Sequence, residues 1–477
     1  MNVVIIGAGP AGLTAGYDLA KRGHAPTVLE RSDMVGGISR TIQFKGNYFD
    51  LGGHRFFTKF DEVEALWREI LGDELLTRPR LSRIYYDRKF YNYPLKATNA
   101  LRNLGALEAT RCMLSYARAK ARSGEPEENF EQWVSNRFGR RLFEIFFKTY
   151  TEKVWGLPTD QIGADWAAQR IKNMELSTAV KGALLGPIKR HLPSRSGEVV
   201  SSLIEEFLYP KTGPGLMYER MSEMMVERGG ALEMHENVFR IERDGDRVGR
   251  VWSRNRDGQE SVHEGEHVLS TMPLTSLVEA LGAPEEVLSA ARSLRYRHLL
   301  TIDLIIDHPD LFPDNWIYVH DNDLKLGRIQ NFKNWSPHMV ADPSTTSLGL
   351  EYFCSDGDEL WEMSDEDLVA LGTEEIARTG LLKGKVIDGT VVRVPKAYPV
   401  YMQGYERHLE LVTRWVRGFK NLHPMGRYGM FKYNNADHSS LTALLTVENI
   451  LGEGRHDVWS VNTDTSYHEI RSENDAR

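Results

Sequence analysis

A strand, a glycine-rich turn and a helix at the start of the chain, a long run of helical periodicity after them, and strand-rich blocks beyond predict an α/β protein: a Rossmann-type dinucleotide-binding domain with an inserted helical region and a β-sheet substrate domain. The turn reads Gly7-Ala8-Gly9-Pro10-Ala11-Gly12, follows the apolar run Val3-Val4-Ile5-Ile6, opens a helix over residues 13–22 and leads to a second strand ending in Glu30. Glycines at 7, 9 and 12 permit the tight turn, the close approach of backbone to a pyrophosphate and the packing of helix on strand. The helix N-terminus attracts negative charge, and Glu30 stands where such folds accept hydrogen bonds from ribose hydroxyls.

Between residues 101 and 150 the spacing of Leu107, Cys112, Leu114 and Tyr116, then of Phe130, Trp133, Phe138, Phe143 and Phe147, predicts amphipathic helices, broken at Ser123-Gly124-Glu125-Pro126. The character changes around 197–200, and a Pro- and Gly-rich turn at 209–215 feeds a helix near 217–228 that Gly229-Gly230 ends. Alternating stretches at 231–242, 247–253 and 267–271 read as strands joined by turns at Asp244-Gly245 and Asp257-Gly258. A second strand-rich block covers 298–307, 316–320, 327–332 and 348–354, and a helical pattern follows at 365–379. The predicted cofactor domain is therefore discontinuous, 1–75, 197–285 and 400–465, with a mainly helical insertion at 76–196, a strand-rich substrate domain at 286–399 and a C-terminal tail at 466–477.

A chain of 477 residues with 41% hydrophobic and 26% charged residues can bury more than one core. The net charge of -8 argues against a nucleic-acid partner, which would require a basic surface. The first residues run straight into the glycine turn with no secretory leader, and no apolar run approaches the roughly 20 residues that span a bilayer. A cytoplasmic protein without a transmembrane segment is expected. Cys112 and Cys354 have no metal-ligand spacing, so both are expected to be reduced and buried, and no metal site is predicted.

The run from Arg31 to Arg40, with Gly36-Gly37 inside it and Gly52-Gly53-His54 soon after, resembles the glutathione-reductase-2 type of flavoprotein, the amine-oxidase-like superfamily. The resemblance implies FAD, with Glu30, Arg31, Gly36, Gly37, Arg40 and Gly53 among the cofactor contacts. In such proteins backbone groups at the position of His235-Glu236-Asn237-Val238 hold the adenine, although Val238 also reads as strand core.

Further segments narrow the resemblance. Met425-Gly426-Arg427-Tyr428-Gly429, then Tyr433 and Asn435-Ala436-Asp437-His438-Ser439 before a helix at 441–451, are similar to the flavin-facing segment of UDP-galactopyranose mutases. Gly52-Gly53-His54-Arg55-Phe56-Phe57 is similar to the mutase stretch whose histidine lies against the flavin. Phe146-Phe147-Lys148-Thr149-Tyr150 and Lys153-Val154-Trp155 resemble a run that lines the mutase cleft. Tyr318 and Arg328 keep the spacing of a tyrosine and an arginine that flank the nucleotide diphosphate. Tyr93-Pro94-Leu95-Lys96 resembles another cleft stretch, with lysine where the mutases carry glutamine, and Lys148 likewise replaces an arginine.

The resemblance implies an FAD-dependent isomerase that interconverts pyranose and furanose forms of a nucleoside-diphosphate hexose with reduced flavin as nucleophile. On that reading Arg328, assisted by Lys148, pairs with the diphosphate, and Tyr318, Tyr398 and Tyr433 donate to phosphate oxygens. Tyr93 and Lys96 contact nucleotide or sugar. Arg427 and Asn435 tune the flavin, and His54 sits near its reactive edge. Asp437, His438 and Ser439 lie at the helix N-terminus that approaches it. Tyr401 competes with Tyr398 for its role, and Trp155 reads as packing. NADH or NADPH is the candidate electron donor, and the oligomeric state, the sugar and the nucleotide stay open. The alternative is a redox enzyme akin to protoporphyrinogen oxidases, desaturases or amine oxidases, with an apolar substrate tunnel in place of a cationic cleft.

Overall fold

The computed structural model describes residues 1–463 apart from 94, 96, 123–126, 165 and 167–205. Lys96, the break at 123–126, the change of character at 197–200, part of the 76–196 insertion and the tail at 466–477 lie outside the described residues. The parallel sheet that begins the chain has the spatial order Leu422–Pro424, His267–Ser270, Asn2–Ile6, Ala25–Glu30, Ala231–Met234. Val3 to Ile6 are all buried, as a central parallel strand covered on both faces must be. One face carries the helices Pro10–Lys21, Gly215–Glu227 and Ala436–Leu451, packed through Leu13, Tyr17, Met221, Met225 and Val447. Val4, Ile6 and Val268 on the other face belong to a second apolar cluster shared with Val238 and Val251 of a three-stranded antiparallel sheet.

That small sheet corrects one expectation. The stretch at 231–242 is two strands, not one: Ala231–Met234 completes the parallel sheet and Asn237–Asp244 starts the antiparallel one. His235, at φ 66°, makes the turn between them, and the Glu236 N–H donates to the Glu30 carbonyl at 2.8 Å. Alternation alone does not reveal a change of sheet.

A seven-stranded sheet forms a second layer, in the order Lys385–Pro399, Tyr296–Asp307, Thr346–Cys354, Arg328–Asn331, Trp316–Val319, Ser82–Tyr86, Lys89–Asn92. The segment expected to be mainly helical thus also supplies two strands, one of them pairing in parallel with Trp316–Val319. Its helices include Ala97–Ala121, which breaks at Gly105 (φ 77°), Phe130–Phe138 and Thr149–Trp155. On the first of these Cys112 faces inward, but Leu107 and Leu114 are 69% and 67% exposed, so their spacing does not mark a core face. Both cysteines are buried and unpaired.

The helix Thr149–Trp155 is held at its C-terminal end by two cations. Lys153 Nζ donates to the carbonyls of Val319, Asp321 and Leu326 at 3.0, 3.0 and 2.9 Å. Arg297, itself buried, donates to the carbonyls of Lys153 and Val154 at the helix C-terminus, where a cation is favoured, and to that of Phe353 on the sheet. This segment continues without a break from Arg140–Phe143 through the π-helical residues Glu144–Lys148, and its last turn is thereby fixed on the seven-stranded sheet.

Asp50, at the end of the strand Asn47–Asp50, is buried with the Thr41 hydroxyl donating at 2.9 Å and the Tyr209 hydroxyl donating to its other oxygen. Burial pushes its carboxyl up to about 7. A carboxyl raised in the folded state contributes stability that is complete below its ordinary range and is lost as pH rises through the folded value. The melting temperature of Asp50→Asn relative to the parent chain is therefore expected to rise between pH 4 and 7, by the equivalent of about 1 kcal/mol per pH unit, and to level off above. Scanning calorimetry across that range checks it, and a difference independent of pH would contradict it.

Candidate active site

One cavity of about 1070 Å³ runs from the glycine turn, at the C-terminal end of the parallel strands, to the seven-stranded sheet. Its cofactor end is built by close backbone approach. Gly7 has φ 97°, and a Cβ at Gly12 would stand 1.8 Å from the Gly7 carbonyl oxygen, so the helix Pro10–Lys21 can sit on its strand only with glycine there. Gly9 and Gly37 meet face to face, a Cβ on either falling 3.2 to 3.8 Å from the other's Cα. Gly36, at φ 93°, turns the chain under Arg40. Gly7, Gly9, Gly37 and Arg40 line the cavity, while Gly12 and Gly36 shape it from behind.

The helix Pro10–Lys21 has Gly9 at its N-cap and no side-chain cap, and Ala436–Leu451 has Asn435 there, also without one. Two helix N-termini without a capping bond from the N-cap side chain therefore meet one cavity, an arrangement that attracts anionic oxygen. Asn435, Asp437 and Ser439 line it, whereas His438 turns away and packs edge-on against Phe60. Glu30 also lines it, its two oxygens accepting from the Ala8 N–H at 2.8 Å and the Ser32 N–H at 2.9 Å. Arg31, Val238 and Gly426 complete this end. Arg40 Nε is buried without a hydrogen-bond partner. The glycine cradle, the two helix termini, the acidic group and this orphaned donor fit a dinucleotide with two phosphates.

The other end is cationic and aromatic. Arg328, on the strand Arg328–Asn331, pairs with buried Glu351 and donates to the Tyr398 hydroxyl at 2.9 Å. Arg427 lies 4.1 Å from the Tyr433 ring centre, with its donors spent on the carbonyls of Ala397 and Asn434 at 3.0 to 3.1 Å. Tyr398 and Tyr433 stack, and Trp155 borders both. Tyr93 packs against Tyr318, which meets Tyr150 edge-on. Burial raises the Tyr150 and Tyr398 phenols, so both remain protonated donors. Gly53 and His54 line the cavity, and burial together with the charges of Arg427 and Arg328 pushes the His54 imidazole down to about 4. His54 is accordingly neutral near pH 7.

Of the substrate-side residues singled out in the sequence, Lys148 does not line the cavity. It ends the π-helical turn Glu144–Lys148, and Phe147, Tyr150, Thr151 and Val154, spaced 3, 4 and 7 apart, take the inner face. Residues two apart on a helix do not share a face, so Tyr150 inside puts Lys148 outside. Tyr401 is spent elsewhere: its hydroxyl accepts from the Tyr433 N–H at 2.7 Å, which leaves Tyr398 facing Arg328. Not singled out were His320, stacked on Tyr150 at 4.8 Å, and the lining cations Arg55 and Lys396. His320 follows Tyr318 by two, the strand period, which is the signal that could have found it.

Among the described residues no three His, Cys, Asp or Glu side chains are placed to hold a metal, and no helix is long and apolar enough to cross a membrane. Residues 10–409 match the family of flavin containing amine oxidoreductases. A relative from Klebsiella pneumoniae named "Probable UDP-galactopyranose mutase" is 28% identical over 173 residues, and the alignment spans 34% of this chain and only 43% of that relative. The 15-cis-phytoene desaturase of an Oncidium hybrid cultivar is 24% identical over 449 residues, 88% of this chain and 72% of its own. The structure of a reduced UDP-galactopyranose mutase superposes with a TM-score of 0.83 at 22% identity, over 97% of this chain and 96% of the other, a likeness of fold. On the match over residues 10–409, the chain belongs to the flavin containing amine oxidoreductase family.

Proposed function

We propose that this chain is an FAD-dependent mutase that interconverts the pyranose and furanose forms of a nucleoside-diphosphate hexose. The observation that carries the reading is that one cavity joins the dinucleotide cradle to a guanidinium, Arg328, in hydrogen-bond contact with a tyrosine hydroxyl and bordered by further tyrosines. The mutase likeness in sequence and fold supports the same class.

The chemistry that bound, reduced FAD supplies is a nucleophile toward the anomeric carbon. Gly7, Gly9, Glu30, Gly37 and Arg40 would hold its dinucleotide, and Arg427 and Asn435 would border its flavin end. Arg328 neutralises charge on the departing diphosphate, and the hydroxyls of Tyr398, Tyr433 and Tyr318 hydrogen-bond its oxygens. Trp155, Tyr150 and Phe147 exclude water from that end. Neutral His54 orients polar groups without adding a cation beside Arg328 and Arg427. Lys148, off the cavity wall, has no part in this assignment. A second reading, a redox enzyme, is favoured by the phytoene desaturase relative and by the apolar wall of Leu95, Phe146 and Phe353.

Holoprotein reduced with dithionite or NADPH and incubated with a panel of nucleotide sugars is expected to yield furanose product detectable by chromatography. If every sugar is unchanged while oxidised holoprotein is bleached by an amine, a porphyrinogen or a polyene, the redox reading replaces this one. Arg328→Ala is expected to weaken UDP binding by about 2 kcal/mol or more, roughly 30-fold, because a buried charged contact is lost. Unchanged affinity by calorimetry would remove Arg328 from the site. The His54 ring nitrogens, followed by NMR, are expected to show no protonation between pH 5.5 and 8, since the folded value lies near 4. A midpoint near 6.5 would show that the imidazole is not enclosed.

A further inference from the structure

Glu351 has no part in the reaction assigned above, yet the site is built around it. It stands on the strand Thr346–Cys354, in which every residue is buried, and its side chain is 0% exposed. Arg328 is its cross-strand register partner in the antiparallel pairing and forms an ion pair with it. Gln330 Nε2 donates to Oε1 at 2.6 Å. Above them runs the turn that carries His54: a Cβ on Gly52 would lie 3.5 Å from the Glu351 carboxylate, and one on Gly53 would lie 2.9 Å from the Gln330 amide. One buried carboxylate therefore pairs with the guanidinium at the cavity wall and lies close beneath the turn before His54.

We propose that Glu351 is a positioning residue that serves as the resident counter-anion of Arg328: it holds the guanidinium beside Tyr398, and an entering diphosphate gains Arg328 only by sharing or displacing that carboxylate. Arg328 Nε is buried without a hydrogen-bond partner, and the Nη2 end rests on both Glu351 and the Tyr398 hydroxyl, so a ligand reaching that end meets the carboxylate. A buried arginine without a counter-ion is costly, and a carboxylate beside it lowers that cost. The same carboxylate repels a phosphate, so it limits affinity and favours release. The proposal rests on the reading of Arg328 as the diphosphate-binding residue.

The test uses FAD-loaded protein and two readouts. The first is the rate at which phenylglyoxal labels Arg328, followed by peptide mass spectrometry, because the reagent attacks the deprotonated guanidine that Glu351 suppresses. The second is the affinity for UDP. Glu351→Gln keeps the shape and removes the charge, and is expected to label about fivefold faster and to bind UDP about fivefold tighter, as loss of a competing charge requires. Glu351→Asp keeps the charge that the buried arginine needs for folding but withdraws it by one methylene; it is expected to label at an intermediate rate.

An unchanged labelling rate in both variants overturns the proposal whatever UDP does. Faster labelling with weaker UDP binding also overturns it, because the carboxylate would then be required for binding, not displaced by it. Faster labelling of Arg328 in a protein that binds no UDP in any form would sink the diphosphate reading while upholding Glu351 as the arginine's counter-anion.

Discussion

The contact between Gly12 and the carbonyl of Gly7 is the constraint from which the rest of the architecture follows. A side chain at position 12 would place a carbon 1.8 Å from that oxygen, well inside any tolerable contact. Without one, the helix Pro10–Lys21 lies directly on its strand and its N-terminus opens onto the cavity. Glu30, at the end of the neighbouring strand, accepts from the Ala8 N–H within the turn. The cofactor end is thus set by backbone geometry, and the remaining elements deliver side chains to a cavity already placed at the strand ends.

What they deliver is positive charge under cover. Arg328 and Arg427 both border His54 closely enough to depress its imidazole. The two arginines are stabilised differently. Arg427 spends its donors on carbonyl oxygens and stacks on tyrosine, which leaves its charge as a fixed field. Arg328 leans on a carboxylate and a phenol, partners with which a ligand can compete. The first arrangement sets a local potential, and the second leaves the guanidinium on a carboxylate and a hydroxyl.

The aromatic wall depends on a second device. Tyr150 and Trp155 sit on the last turns of a continuous helix that passes through the π-helical residues Glu144–Lys148. Lys153 ties it to three carbonyls, and Arg297 joins its C-terminus to the sheet. Both cations are structural, although the Lys153-Val154-Trp155 run reads in sequence as part of a cleft lining. Their work is to fix the neighbours that line the cavity.

The glycine turn and its acidic partner were legible in the sequence because each is a local pattern set by residues a few positions apart, whereas the segments near Gly36 and Gly426 were marked by their resemblance to known flavoproteins. The sequence also singled out Arg328, Tyr318, Tyr398 and Tyr433, which do meet at one cavity. Only the tertiary structure decided that Lys148 lies outside, since that turned on which helical face packs against the sheet. Only it decided between Tyr398 and Tyr401, separated by a hydrogen bond to the Tyr433 backbone. Glu351 had no local signal at all: in a strand of wholly buried residues a lone carboxylate acquires meaning only from the arginine opposite and the glycine turn above it, some 300 residues away in the chain. Spacing specifies what the backbone does within one element, but pairing between distant elements is settled by packing, where a buried charge goes where its partner is.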